Sequence, residues 1–333
     1  MATTVDLFVI IEFRNHHKYY HDLETRMKKI YITGLAGMLG SNLAFLLKEK
    51  YKVAGVDRIP VTMHGIEASC FDMLEEERLY EDLARVKPEL VIHTAAAVNV
   101  DRCEQEPEFA KKLNETLTYS LANCCKMLGI SLIYISTDAV FEGSIPGLYT
   151  EEDQPKPVNE YGKTKLAGEK YVLELENGLV LRTNIYGFNV QSKYSFGEWV
   201  VSCLLEGQTL SMFDDIYFSP ILVNDLAQVI DLCINQEVCG LYHACGTGSV
   251  NKYEFGCYMK EVFHIQTGQI VRAQSSQHEF IAKRSKNMGM SNQRLSKLLG
   301  IRMRTPQESI ELFYELYQQG YQNKLTQFGG VNV

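Results

Sequence analysis

Tyr161 and Lys165 stand four residues apart in the stretch 159–170, Asn-Glu-Tyr-Gly-Lys-Thr-Lys-Leu-Ala-Gly-Glu-Lys. Positions i and i+4 of a helix share one face, so the ammonium can lie beside the phenol. A free phenol has a pKa of about 10, and a nearby cation favours the phenolate, which makes the hydroxyl a proton donor and acceptor near neutral pH. Such a pair also arises by chance on exposed helices, so its meaning depends on what surrounds it. Upstream, the apolar run Leu132 to Ile135 reads as a strand that delivers Ser136-Thr137-Asp138-Ala139-Val140-Phe141. The Thr137 hydroxyl could hydrogen-bond a substrate carbonyl oxygen and hold it toward the phenol. Asn159 can cap the helix that presents Tyr161 and Lys165.

The elements that must position these groups alternate from Ile30 onward as short apolar strands and longer helical segments, the pattern of a parallel sheet with helices on both faces. Strand Lys29 to Thr33 runs into Gly34-Leu35-Ala36-Gly37-Met38-Leu39-Gly40, a helix over Ser41 to Lys50 follows, and strand Lys52 to Val56 ends at Asp57. Glycines at this spacing let the backbone approach a pyrophosphate, whose charge is met by free N–H groups at the helix N-terminus, so Ala36, Met38 and Leu39 belong to the same cradle. Asp57 stands where a carboxylate would bind the adenosine ribose and repel a 2′-phosphate, which favours NAD(H) over NADP(H); the adjacent Arg58 pulls the other way. A strand at Ser69 to Phe71 ends at Asp72-Met73, placed against adenine, and strand Leu90 to His93 ends at Thr94-Ala95-Ala96, placed toward the nicotinamide. Glu108 to Met127 reads as one helix closed by Gly129, with Cys124, Cys125 and Met127 as core. Beyond strand Leu179 to Arg182 and Asn184 the alternation becomes irregular. The expected fold is α/β, a doubly wound parallel Rossmann sheet with a smaller C-terminal α+β substrate lobe. Residues 27–187 form the nucleotide domain, 219–244 return to it, and the rest of 188–333 forms the lobe, where Trp199 is a packing residue.

A formal net charge of -8 over 333 residues argues against a nucleic-acid or anionic membrane surface. Nine cysteines, without a Cys-x-x-Cys pair, read as reduced thiols of a cytoplasmic protein. The apolar runs are shorter than the roughly 20 residues of a membrane span. The eight histidines lack metal spacing, and His93 reads as structural. Met27-Lys28-Lys29-Ile30 looks like a bacterial start, so residues 1–26 are read as an N-terminal extension. Lys283, Arg284 and Lys286 form a small basic cluster, readable as a solvated loop or as a site for a substrate diphosphate.

Together these residues resemble the extended short-chain dehydrogenase/reductase superfamily. Three blocks, residues 99–107, 136–141 and 159–170, look like its dTDP-4-dehydrorhamnose reductase branch. The resemblance implies that Thr137, Tyr161 and Lys165 are catalytic, that Gly34, Gly37 and Gly40 cradle a pyrophosphate, and that hydride passes from NAD(P)H to a 4-keto group of a nucleotide-linked deoxysugar, in cell-surface polysaccharide sugar biosynthesis. Lys165 would hold the nicotinamide ribose and lower the Tyr161 pKa. Val98, Asp138, Ala139, Asn184 and Arg284 would join Thr137 against the nucleotide-diphosphate sugar, and a homodimer is expected. Ala139 replaces the branch's usual tyrosine, Asn184-Ile185 its usual tryptophan, and Asn42 a glutamate that helps bind a metal between subunits, so no metal site is expected. The alternatives are an NAD-retaining epimerase or dehydratase and a non-catalytic subunit like the regulatory subunit of methionine adenosyltransferase.

Overall fold

A computed structural model describes residues 27–191 and 193–331; the expected extension over 1–26 lies outside them. Seven parallel strands form the central sheet: β1 (Lys29–Thr33), β2 (Lys52–Asp57), β3 (Glu67–Cys70), β4 (Leu90–His93), β5 (Ser131–Thr137), β6 (Gly178–Thr183) and β7 (Gly240–His243). Their spatial order is β7-β6-β5-β4-β1-β2-β3. The chain therefore reverses direction between β1 and β4, the switch point at which doubly wound sheets bind ligands.

The strands are apolar at successive positions because both faces are covered. Ile30, Ile32, Ile92, Ile133 and Leu181 face one core together with helix α1 (Met38–Leu47). Tyr31, Val91, Leu132, Tyr134 and Val180 face the other, under the helices over 76–86 and 117–128 and α2 (Glu160–Leu173). Helix α3 (Val223–Asn235) packs on the α1 side through Leu226, Ile230 and Cys233.

The second lobe has an aromatic core that includes Tyr186, Phe188, Phe218, Phe255 and Phe313. Its helices span 196–205, 252–262 and 306–318, and its short strands pair outside the main sheet. The lobe boundary is less clean than expected. Leu295, Leu299, Met303 and Phe328 join the main core, and strand 329–331 pairs with 61–63 in the loop that follows Asp57. These apolar faces lie far along the chain and find the sheet only in three dimensions.

Two local expectations change. The helix expected over 108–127 runs from 107 to 128 and contains a π-helical turn over 112–116, with helical backbone at both junctions. The turn, Lys112-Leu113-Asn114-Glu115-Thr116, contains no glycine or proline to mark it in the sequence. Cys124 and Cys125 are buried, whereas Met127 is 67% exposed on the outer face of its helix. Trp199 is partly exposed and stacks on Phe196 with ring centres 6.0 Å apart.

Candidate functional site

At the end of β1 the chain turns at Gly34, whose φ of +74° is a conformation that L side chains rarely adopt. A Cβ there would stand 3.0 Å from the backbone of Ala95, so the loop touches the segment after β4. Gly37 is the N-cap of α1; no side chain caps that helix and no acid occupies its first turn. Its free N–H groups and dipole suit an anion, and the glycine surface lets one approach the backbone, so these residues fit a dinucleotide pyrophosphate. Gly40 serves packing, since a Cβ there would lie 2.1 Å from the Gly34 carbonyl oxygen. Gly40→Ala is therefore expected to cost roughly 1–3 kcal/mol in denaturant unfolding and to weaken dinucleotide binding.

The Asp57 carboxylate accepts hydrogen bonds from the Ala36 N–H at 2.9 Å and the Ile59 N–H at 3.2 Å. It shapes the loop while still lining the cavity beside Arg58 and Met73. Asp72 does not reach the cavity. It is exposed and closes its own turn by accepting from the Leu74 N–H at 3.0 Å. Ala36, in the loop, and Gly40, in the first turn of α1, do not line the cavity either.

At the other end, Asn159 caps α2 by accepting from the Gly162 N–H at 2.9 Å, which aims Tyr161 and Lys165 back at β5. The Lys165 ammonium donates to the Ile135 carbonyl at 2.7 Å and lies 4.1 Å from the Tyr134 ring centre. Burial lowers its pKa to about 7, with Glu169 opposing the shift. The Tyr161 phenol is pushed well above its ordinary value by loss of water, with Thr137 drawing it down. The net shift of the phenol is therefore upward, because the loss of water outweighs the Thr137 hydrogen bond, while the Lys165 ammonium is engaged by the Ile135 carbonyl.

The Thr137 hydroxyl accepts from the Ala139 N–H at 3.1 Å and donates to Asp138 at 3.2 Å. Asn184 donates to the other Asp138 oxygen at 2.6 Å. Burial raises the Asp138 pKa to about 6 against these bonds and the Lys252 charge, while burial lowers Lys252 to about 8.

The glycine loop, Asp57, Thr137, Asp138, Tyr161 and Lys165 border one cavity of about 710 Å³. Gly34, Gly37, Met38 and Leu39 stand at one end of it, and Thr94, Ala95, Ala96 and Val98 run along one wall. Thr137, Asp138, Ala139, Tyr161 and Lys165 form the far end, facing Asn184 and Arg284. The basic cluster divides: Arg284 lines the cavity and donates to Asp101 at 2.7 Å, while Lys286 pairs with Asp215 at 3.0 Å. The Lys283 carbonyl accepts from Asn159. Neighbours in sequence, these side chains diverge along an extended segment.

Sequence reasoning missed Asn99, Arg102, Gln191, Ser285 and Met288 as cavity residues. The block at 99–107 carried a signal for the first two. Gln191 carried none; it donates from the lobe to the Ala36 carbonyl at 2.7 Å. Asn114, in the π turn, was also missed; it holds both backbone groups of Ala97 and donates to Thr164 on α2. Asn42 is buried, donating to the Met38 and Phe188 carbonyls and accepting from the Tyr321 hydroxyl. His93 bridges Thr33 and Thr118 inside the sheet, a structural role.

Residues 27–319 match the family described as the RmlD substrate binding domain. A probable low-salt glycan biosynthesis reductase, Agl14, of Haloferax volcanii is 33% identical over 237 residues, covering 70% of this chain and 79% of that protein. The methionine adenosyltransferase 2 subunit beta of Rattus norvegicus is 31% identical over 301 residues, 84% of each chain. The crystal structure of dTDP-4-dehydrorhamnose reductase from Bacillus anthracis in complex with NADP superposes with a TM-score of 0.79 at 28% identity, covering 87% of this chain and 99% of that one.

Proposed function

For a chain that belongs to the RmlD substrate binding domain family, we propose the reduction of a nucleotide-linked 4-keto-deoxysugar by a nicotinamide dinucleotide, in the manner of dTDP-4-dehydrorhamnose reductase. The chain is an NAD(P)-dependent oxidoreductase of this type. The observation that carries the sugar reading is the single cavity that joins the glycine loop to Thr137, Tyr161 and Lys165.

When bound, the dinucleotide supplies a hydride. The chain's own part is to hold the substrate and move a proton. Thr137, oriented by the turn at Asp138–Val140, offers its hydroxyl to the carbonyl oxygen. Tyr161, kept protonated near neutral pH by its surroundings, gives its proton to the new alkoxide. Lys165, fixed on α2 by the Ile135 carbonyl, would hold the cofactor ribose. Asn184 and Asp138 bind each other at the sugar end, and Ala139 leaves space where the branch usually has a tyrosine; the substrate is therefore read as a class, a nucleotide-diphosphate 4-keto sugar, used in surface glycan synthesis in the cytoplasm. Arg284 faces its diphosphate.

Asp57 favours NADH. Because it also holds the Ala36 N–H, Asp57→Asn keeps an acceptor there and removes only the charge. That variant is expected to shift the NADH/NADPH ratio of kcat/KM toward NADPH by roughly tenfold, about 1.4 kcal/mol; an unchanged ratio would refute the role of the charge.

A screen of nucleotide-linked 4-keto sugars with each reduced cofactor, read by absorbance loss, tests the proposal. Net cofactor consumption supports a reductase, and turnover without net consumption supports an epimerase. Similarity to methionine adenosyltransferase beta subunits over 84% of the chain favours one other reading, a regulatory subunit. Co-purification with a catalytic partner, together with no turnover on any keto sugar, would establish that reading instead.

A further inference from the structure

The scheme above leaves one buried ion pair without a task. Glu169 lies one turn beyond Lys165, so Tyr161, Lys165 and Glu169 occupy i, i+4 and i+8 on α2. Its carboxylate accepts from Arg182 Nε at 2.9 Å, Arg182 Nη2 at 2.7 Å and Ser136 Oγ at 2.6 Å. Both charged side chains are only 2% exposed. Ser136 immediately precedes Thr137 on β5, and Arg182 stands two residues before Asn184 at the end of β6. One carboxylate therefore joins the three elements that carry the reacting end of the cavity.

We propose that Glu169 is a positioning residue for the reduction, fixing the Tyr161 helix against the strand ends that present Thr137 and Asn184. The proposal rests on the reading of Tyr161 as proton donor. Stability alone does not account for the pair, because a buried ion pair is often matched or exceeded by apolar side chains of similar volume. Apolar contacts are non-directional, whereas three hydrogen bonds to one carboxylate set both distance and angle. Direction matters here because a misplacement of about 1 Å can lower a rate on the order of 100-fold.

Removing Glu169 alone would strand the Arg182 charge and could unfold the chain. The test is therefore the double variant Glu169→Leu/Arg182→Met, with Ser136→Ala, which cuts one arm and leaves the ion pair in place. The double variant is expected to melt within about 5 °C of the wild type and to keep its KM for the reduced dinucleotide within about twofold. Its kcat should fall on the order of 10–100-fold, with faster amide hydrogen exchange over 137–139 and 183–184. Ser136→Ala should lower kcat by a smaller factor in the same direction. Wild-type kcat in the folded double variant, or unchanged exchange at those amides, would overturn the proposal; should the double variant not fold, an unchanged Ser136→Ala enzyme would do so. Tyr161→Phe, assayed in parallel, keeps the two ideas apart. If it retains turnover the proton-donor reading fails, while hydrogen exchange still decides whether Glu169 fixes the strand ends.

Discussion

Tyr161→Phe is expected to lower kcat for ketone reduction by roughly 100- to 10,000-fold, the range of a lost general acid, while leaving the affinity for the reduced dinucleotide nearly unchanged. The substitution deletes one oxygen and keeps the ring that packs near Ala97, Cys103 and Ala110. Lys165, hydrogen-bonded to the Ile135 carbonyl, does not depend on that oxygen for its position. An interaction made only in the transition state lowers kcat and kcat/KM together, and that is the signature to measure. The raised pKa of the phenol gives the loss its direction: near neutral pH the hydroxyl carries its proton, as a donor in reduction must. Turnover within about threefold of wild type would move the proton donor to another group.

The second large effect is on stability in acid. His93 and His243 are essentially buried, and both pKa values are lowered to about 3 by that burial, helped by the charges of Lys165 and Arg182 respectively. The unfolded chain protonates these rings near 6.5, whereas the folded chain resists until about 3. Between those values the unfolded state binds more protons, so stability rises with pH: it is complete above about 6.5 and lost as pH falls. At pH 4.5 the two rings together remove roughly 5 kcal/mol. Asp138 works in the opposite sense. Its folded pKa of about 6 exceeds its unfolded value, so it returns roughly 2 kcal/mol over the same interval. For these three groups the balance is a loss of roughly 3 kcal/mol, a large share of an ordinary domain's stability; the carboxyls of Glu151, Glu198 and Asp225, whose pKa values burial also raises, act in the same sense as Asp138. Urea unfolding at pH 7 and pH 4.5 measures it, and a His93→Gln/His243→Gln variant should flatten the slope. An unchanged slope in that variant would contradict the burial of neutral rings.

Much of the nucleotide half was legible in the residues because its signals are local. The glycine spacing, the strand before it and Asp57 after it lie within one unit of about 30 residues, and Asn159 caps the helix three residues ahead of Gly162. The lobe was harder to read, since its strands are two to five residues long and pair with partners distant in sequence. Arg284 and Lys286 illustrate the difficulty: two residues apart, one reaches the cavity and the other pairs with the Asp215 carboxylate.

Taken alone, the sequence determined the fold class, the glycine loop between β1 and α1 and the placing of Tyr161 and Lys165 on one helix, because spacing of 2 in strands and 3.6 in helices dictates which side chains share a face. Only the tertiary structure decided the electrostatics of that pair. Whether an ammonium lowers a neighbouring phenol's pKa depends on how much water both retain, and on whether a carbonyl such as that of Ile135 engages the ammonium. The same holds for Glu169, which reads as one more charge on a helix until folding brings Ser136 and Arg182 to it from separate strands.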